Sequence, residues 1–151
     1  MLMEGKFIVK ASIQKAWDNL LNPETLATCI PGCEKMETID EKTYHSVVKQ
    51  KVGPISVRFR FTTTLTEITP PTHMKAVGKG EDVGRAGNFS QETTVDLEKI
   101  SGEEVEVTYK TDVAIVGRLA TFGNRIMSAK AKSVEQQFTQ ALQEKLASEG
   151  S

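Results

Sequence analysis

Between residues 33 and 114 the chain alternates apolar and polar side chains with a period of two, and from about Leu119 the period changes to 3.6. No other feature restricts the fold as strongly. The alternation is clearest where Ile55, Val57, Phe59, Phe61 and Leu65 interleave with Ser56, Arg58, Arg60, Thr62, Thr64 and Thr66. It recurs where Phe89, Gln91, Thr93, Val95 and Leu97 face Ser90, Glu92, Thr94, Asp96 and Glu98. After Ser101-Gly102, Val105, Val107, Tyr109, Thr111 and Val113 alternate with Glu104, Glu106, Thr108, Lys110 and Asp112. Successive strand residues point to opposite faces, so each run is a strand with one wet and one covered side. Such one-sidedness is the mark of an antiparallel sheet. Residues 42 to 52 add a strand with Tyr44, Val48 and Val52 on one face and His45, Lys49 and Lys51 on the other, and Gly53-Pro54 supplies the turn to the next strand. Thr69-Pro70-Pro71-Thr72 breaks the chain before a strand that starts near His73.

The covered face needs a cover, and the end of the chain provides one. Leu119, Phe122, Ile126, Met127, Ala131, Val134, Phe138, Ala141, Leu142 and Lys145 fall along one helical stripe. A helix of roughly 28 residues extends about 40 Å, enough to lie across a whole sheet. Before the sheet, Phe7 and Val9 suggest a short opening strand, and Ser12 can cap a helix carrying Ile13, Trp17 and Leu20 on one face. Asn22-Pro23 starts a second helix, which Pro31-Gly32 must end. Strand, two short helices, a strand meander and one long helix make an α+β order. With no repeat, low-complexity tract or linker, residues 1–151 read as a single domain.

A covered face built only for packing should be apolar throughout, yet Ser46, Gln50, Thr63, Gln91, Thr93 and Thr111 all have inward parity. A buried polar group costs about 1–3 kcal/mol unless it is hydrogen-bonded. Several on one face suggest an internal cavity holding water or a ligand with polar atoms. The competing explanation is that bulges turn some of them outward, or that they satisfy one another. In a cavity, Tyr44, Phe59, Phe61, Phe89, Tyr109, Phe122 and Met127 would form an apolar lining, with Gln50 and Gln91 as polar members.

Catalytic and metal signals are sparse. His45 has outward parity and His73 sits beside the Pro-Pro turn, so both read as solvated surface groups. Glu81 and Asp82 are adjacent on a strand and must point apart. The glycines at 78, 80, 84 and 87 lead into no helix, so they read as bends and bulges in curved strands rather than as a phosphate loop. Cys29 and Cys33 form a lone C-x3-C pair, expected to be small, half-buried free thiols rather than a metal or redox site. No catalytic residue, metal or cofactor is expected. A net charge of −1 argues against a nucleic-acid partner. The first residues enter a charged strand without a signal-peptide apolar stretch, which predicts a cytoplasmic protein. One charge feature stands apart. Residues 117–133 carry Arg118, Arg125, Lys130 and Lys132 with no acidic residue. Spacing by seven places Arg118, Arg125 and Lys132 on one helix face. They are either an ordinary solvated face or a docking site for an acidic partner or anionic lipid heads.

Phe7-x-Val9, Trp17 and Asn22-Pro23-Glu24-x-Leu26-x-x-Cys29-Ile30-Pro31-Gly32-Cys33 together form a pattern that resembles the carbon monoxide dehydrogenase G-subunit family. Val52-Gly53-Pro54-Ile55, Pro70-Pro71, the glycine-rich strand from Gly78 to Gly87 and Val116-Gly117-Arg118-Leu119-Ala120-x-Phe122-Gly123 extend the resemblance over nearly the whole chain. The resemblance implies a START-like helix-grip fold, in which a curved antiparallel sheet wraps the terminal helix. It further implies a non-catalytic accessory to a molybdenum hydroxylase, recruiting it to the inner face of the membrane or coupling it to a lipid- or quinone-like ligand. The alternative within the same superfamily is a polyketide cyclase-like or aromatase-like enzyme. Such an enzyme needs an ionisable group deep in the pocket, and the clear strand runs place none inward.

Overall fold

The computed structural model describes residues 1–149. Seven strands form one antiparallel sheet: β1 (Leu2–Val9), β2 (Cys33–Asp40), β3 (Thr43–Val52), β4 (Ile55–Thr69), β5 (His73–Asp82), β6 (Asn88–Ser101) and β7 (Glu104–Val116). Helices α1 (Ile13–Leu21) and α2 (Pro23–Cys29) separate β1 from β2, and α3 (Gly123–Glu149) ends the chain. The spatial order is β1-β7-β6-β5-β4-β3-β2. Six strands therefore meander by hairpins, while β1 crosses by way of the two helices to the far edge.

Local chemistry accounts for the starts and stops. Ser12 Oγ accepts from the Lys15 amide at 3.2 Å and Asn22 Oδ1 from the Glu24 amide at 2.9 Å, satisfying donors that the first helical turns leave free. Gly53 has φ +58 and Pro54 follows it, a sign pattern suited to a two-residue hairpin between Val52 and Ile55. Gly32 has φ +80, and a Cβ there would stand 2.0 Å from the Lys49 carbonyl oxygen. Only glycine lets the Pro31-Gly32 segment lie directly on β3, where the Lys49 amide donates to the Gly32 carbonyl at 2.9 Å.

The helix that covers the sheet does not begin at Leu119. Arg118–Phe122 form a short 3-10 turn, and Gly123 with φ +81 separates it from α3. Arg118 thus leaves the helix face expected to hold Arg125 and Lys132. Ile126, placed on the apolar stripe by spacing, is 44% exposed. Nor does α3 cross the sheet. Ser128 contacts Met1 at its start, and further along Gln143 donates to the Ile8 carbonyl at 2.8 Å. Ser128 to Gln143 rises about 22 Å in a helix. Met1 to Ile8 spans about 23 Å in a strand. The helix therefore runs beside β1. Because β3, next to the opposite edge, also reaches α3, the sheet curls around it.

On the outer face one side-chain cluster departs from the sequence reading, and at the end of β5 Glu81 and Asp82 point apart, as expected. His73 is no free surface group: its Nδ1 lies 2.7 Å from Asp96 and its Nε2 3.0 Å from Glu67, stapling β4, β5 and β6. Asp82 is buried, and its carboxylate accepts from the Arg58 amide at 2.8 Å and the Ala86 amide at 2.9 Å. Burial opposes its charge, but these amides outweigh that and hold its pKa below the usual carboxylate value.

Two outcomes follow for stability. The Asp96 carboxylate, then Glu67, raises the His73 pKa, so the staple stabilises fully below the unfolded value near 6.5 and is lost as pH rises through the folded pKa. The melting temperature of His73→Gln should therefore fall below that of the wild type at pH 5.5 and match it at pH 9. Asp82→Ala strips two amides of their acceptor and should cost about 1–3 kcal/mol in urea unfolding.

Candidate functional site

The apolar core is split. One cluster joins Val9, Trp17, Cys29, Met74, Leu97, Val105 and Val107 to Leu142 and Leu146 in the last turns of α3. The other joins Val52, Val57, Ala86 and Leu119, with Phe59, Ile115, Phe122 and Met127 packed against it, at the start of α3. Phe61, Phe89, Val113 and Val134 belong to neither and remain half-buried. They lie between the two clusters.

The strand register explains this gap. Across the inner face, Phe61, Gly80, Phe89 and Ile115 form one row of paired residues, and Thr63, Gly78, Gln91 and Val113 form the next. Leu65, Ala76, Thr93 and Thr111 form a third. Along β5 the inward side chains therefore shrink from Met74 to Ala76 and then to two glycines. A Cβ on Gly80 would lie 2.6 Å from Phe61 Cβ and 2.8 Å from the Phe89 ring. The glycines are not bulges, since β5 keeps its register with β6 throughout. They let neighbouring rings lie down on the sheet. Phe89 packs edge-on against Phe59 with centroids 4.9 Å apart and against Phe61 at 5.6 Å. This stretch of the inner face is floored by small, polar and aromatic residues.

The polar members differ in what occupies them. Thr93 and Thr111 share a hydrogen bond at 3.2 Å, so these two do satisfy each other. Gln50 donates to the Pro31 carbonyl at 2.6 Å and Tyr44 to the Leu21 carbonyl at 2.8 Å. Both therefore tie β3 to the α1–α2 segment. Among the described residues, Gln91 and Thr63 make no side-chain hydrogen bond, leaving their polar atoms available. Tyr109 leans over Gly5, where a Cβ would stand 2.4 Å from its hydroxyl, and that hydroxyl is buried without a partner. Burial raises its pKa, and the neighbouring Glu135 carboxylate on α3 adds to the effect. The spacing Ala131, Glu135, Phe138, Leu142 could have flagged Glu135 as an inward helix position. Reading strands alone missed it.

A recess of about 290 Å³ opens at the start of α3, lined by Val113, Ile115, Ala120, Asn124 and Met127 among others. Met127 thus lines the opening, and Phe122 covers Gly53 with its ring 3.5 Å from the Cβ position there. A groove of similar size, about 300 Å³, lies over β5, β6 and β7 between Lys79, Ser90, Glu92 and Ala114, and Gly78 and Gln91 also border it. Arg118, Arg125 and Lys132 are exposed. Cys29 is buried and Cys33 half-buried, both are unpaired, and burial raises both thiol pKa values. Among the described residues no group of three or more His, Cys, Asp or Glu is arranged to hold a metal, and no helix is long and apolar enough to cross a membrane.

Solved structures share this architecture. A conserved protein from Geobacillus kaustophilus superposes with a TM-score of 0.91 at 26% identity, covering 98% of this chain and 96% of that one. A START superfamily protein from Mycobacterium smegmatis superposes at 0.74 with 11% identity over 97% of each chain. The Zhui aromatase/cyclase from Streptomyces sp. R1128 reaches 0.70 at 12% identity, covering 97% of this chain and 93% of that one. The last two establish the START-like helix-grip fold. No curated protein sequence matches the chain significantly. A family model does match, over residues 5–147, and by it the chain belongs to the carbon monoxide dehydrogenase G-subunit (CoxG) family.

Proposed function

We propose that this protein is a non-catalytic accessory that holds an apolar, lipid- or quinone-like ligand in the trough beneath α3 and serves a molybdenum hydroxylase of the carbon monoxide dehydrogenase type. The observation that carries the reading is the divided core. Two apolar clusters hold α3 at its ends, while Gly78 and Gly80 lower the floor between them. Phe59, Phe61 and Phe89 offer apolar contact, and Gln91 and Thr63 offer polar atoms that no protein group uses. Mostly apolar walls with a few placed polar groups suit a small molecule with one or two oxygens. Family membership supports the partner, because the CoxG family takes its name from carbon monoxide dehydrogenase. Cytoplasmic residence, at the inner face of the membrane, belongs to the same proposal.

One observation favours the alternative. Glu135 sits beside the buried Tyr109 hydroxyl, and an ionisable pair under the helix is what a cyclase-like or aromatase-like enzyme would use. Against it, Tyr109 holds its proton more tightly than a free phenol.

Thr93→Phe tests the trough. A packed core would be overfilled by the larger ring and lose about 1–3 kcal/mol. An open trough should take the ring with no more loss of melting temperature than Thr93→Val, which breaks the same Thr111 hydrogen bond, and lose its binding of a fluorescent fatty-acid probe. Loss of stability with unchanged probe binding would contradict the reading.

A further inference from the structure

The open end of the grip brings together segments far apart in sequence. The β5–β6 turn is bonded to the segment after β7, with the Leu119 amide donating to the Ala86 carbonyl at 2.8 Å. Gly117 lies so close to Gly87 that a Cβ would stand 2.8 Å from the Gly87 Cα. Ala86 and Leu119 share the cluster against which Phe122 and Met127 pack. This end therefore presents Val83, Val116 and Ile126 to solvent, 46%, 58% and 44% exposed. Beside them stand Arg85, Arg118 and Arg125, all exposed and without an ion-pair partner among the described residues. Arg85 has φ +63, a left-handed conformation in which glycine would be unstrained. Asp82, the nearest acid in the turn, is buried with both oxygens taken by backbone amides. The exposed carboxylates nearby are Glu81, which makes no ion pair among the described residues, and Asp112 at the recess, which pairs with the Met1 amino group at 3.6 Å.

We infer that this end of the grip, where Arg85, Arg118 and Arg125 accompany Val83, Val116 and Ile126, docks an acidic surface of a partner protein. The inference rests on the accessory reading and names its interface. Arginine forks bind carboxylates with two parallel hydrogen bonds, and arginine is enriched in protein interfaces. The exposed apolar residues here are valine and isoleucine, and this end offers no exposed Trp, Tyr or Phe to sit at a lipid interface. Both points favour a protein over an anionic bilayer. Lys132 lies two turns further along α3 and is not needed. Val116, Arg125 and Ile126 adjoin the recess residues Ile115, Asn124 and Met127 in sequence, so docking here brings the partner to the rim of the recess.

The test titrates the protein onto the purified, immobilised carbon monoxide dehydrogenase complex of the same organism, and separately onto vesicles of phosphatidylcholine with phosphatidylglycerol. The variants are R85K/R118K/R125K, which keeps the charge but removes the fork, and V83S/V116S/I126S. Each should keep the wild-type melting temperature and fatty-acid probe binding, yet bind the complex at least about tenfold more weakly. Vesicle binding by the wild type should be weaker than binding to the complex and unchanged in both variants. Equal binding of the complex by wild type and both variants would overturn the inference while leaving the accessory reading intact. Binding to vesicles but not to the complex would overturn it in favour of a membrane surface. Wild-type protein that binds the probe but neither target would overturn the docking face without touching the trough.

Discussion

Packing of α3 against the curled sheet is concentrated at two places, and everything distinctive in the molecule depends on that division. At its far end, Leu142 and Leu146 are almost completely buried among Val9, Val105 and Val107. Burial of each such side chain is worth about 1.5–3 kcal/mol, enough to seat the helix firmly. At its near end, Leu119, Phe122 and Met127 close on Val52 and Val57. Between these anchors the β5 floor falls to two glycines, over which the Phe61 and Phe89 side chains lie. A helix clamped only at its ends can enclose a guest without being displaced by it.

The polar groups of the inner face sort themselves by that same geometry. Those under the anchors serve the fold, as Gln50 and Tyr44 do in tying β3 to the helical segment. Thr93 and Thr111 neutralise each other in the floor. Gln91 and Thr63 flank the glycines and keep free polar atoms. Among the described residues the buried Tyr109 hydroxyl is the one buried side-chain polar atom without a partner at full hydrogen-bonding geometry, and the Glu135 carboxylate acts on it most directly. Desolvation of that phenol favours its neutral, hydrogen-bond-donating form. It is equipped to donate, not to abstract a proton.

The fold was legible because period-two and period-3.6 patterns do not overlap in this chain. One-sided alternation placed Phe59, Phe61, Phe89, Gln91 and Tyr109 on a common face, and the register agrees. What periodicity could not convey was depth. Gly78 and Gly80 look the same in sequence whether they make a bulge or a hollow, and only the close approach of Phe61 and Phe89 separates the two. Gln50 looked like a cavity residue because parity does not reveal that Pro31 waits opposite it. Spacing by seven failed for Arg118 because Gly123 interrupts the helix before the arginine. That same break carries Arg118 to the β5–β6 turn, whose charge no local pattern connects to it.

The claim at the centre of this account is that the space between the two anchors accommodates an apolar molecule. Native mass spectrometry of the protein as purified reads that occupancy directly. The account predicts a 1:1 adduct that is released on denaturation, extracts into organic solvent, and is absent from Thr93→Phe. Protein that runs at its bare sequence mass, and takes up no lipid or quinone when these are added in excess, would contradict it.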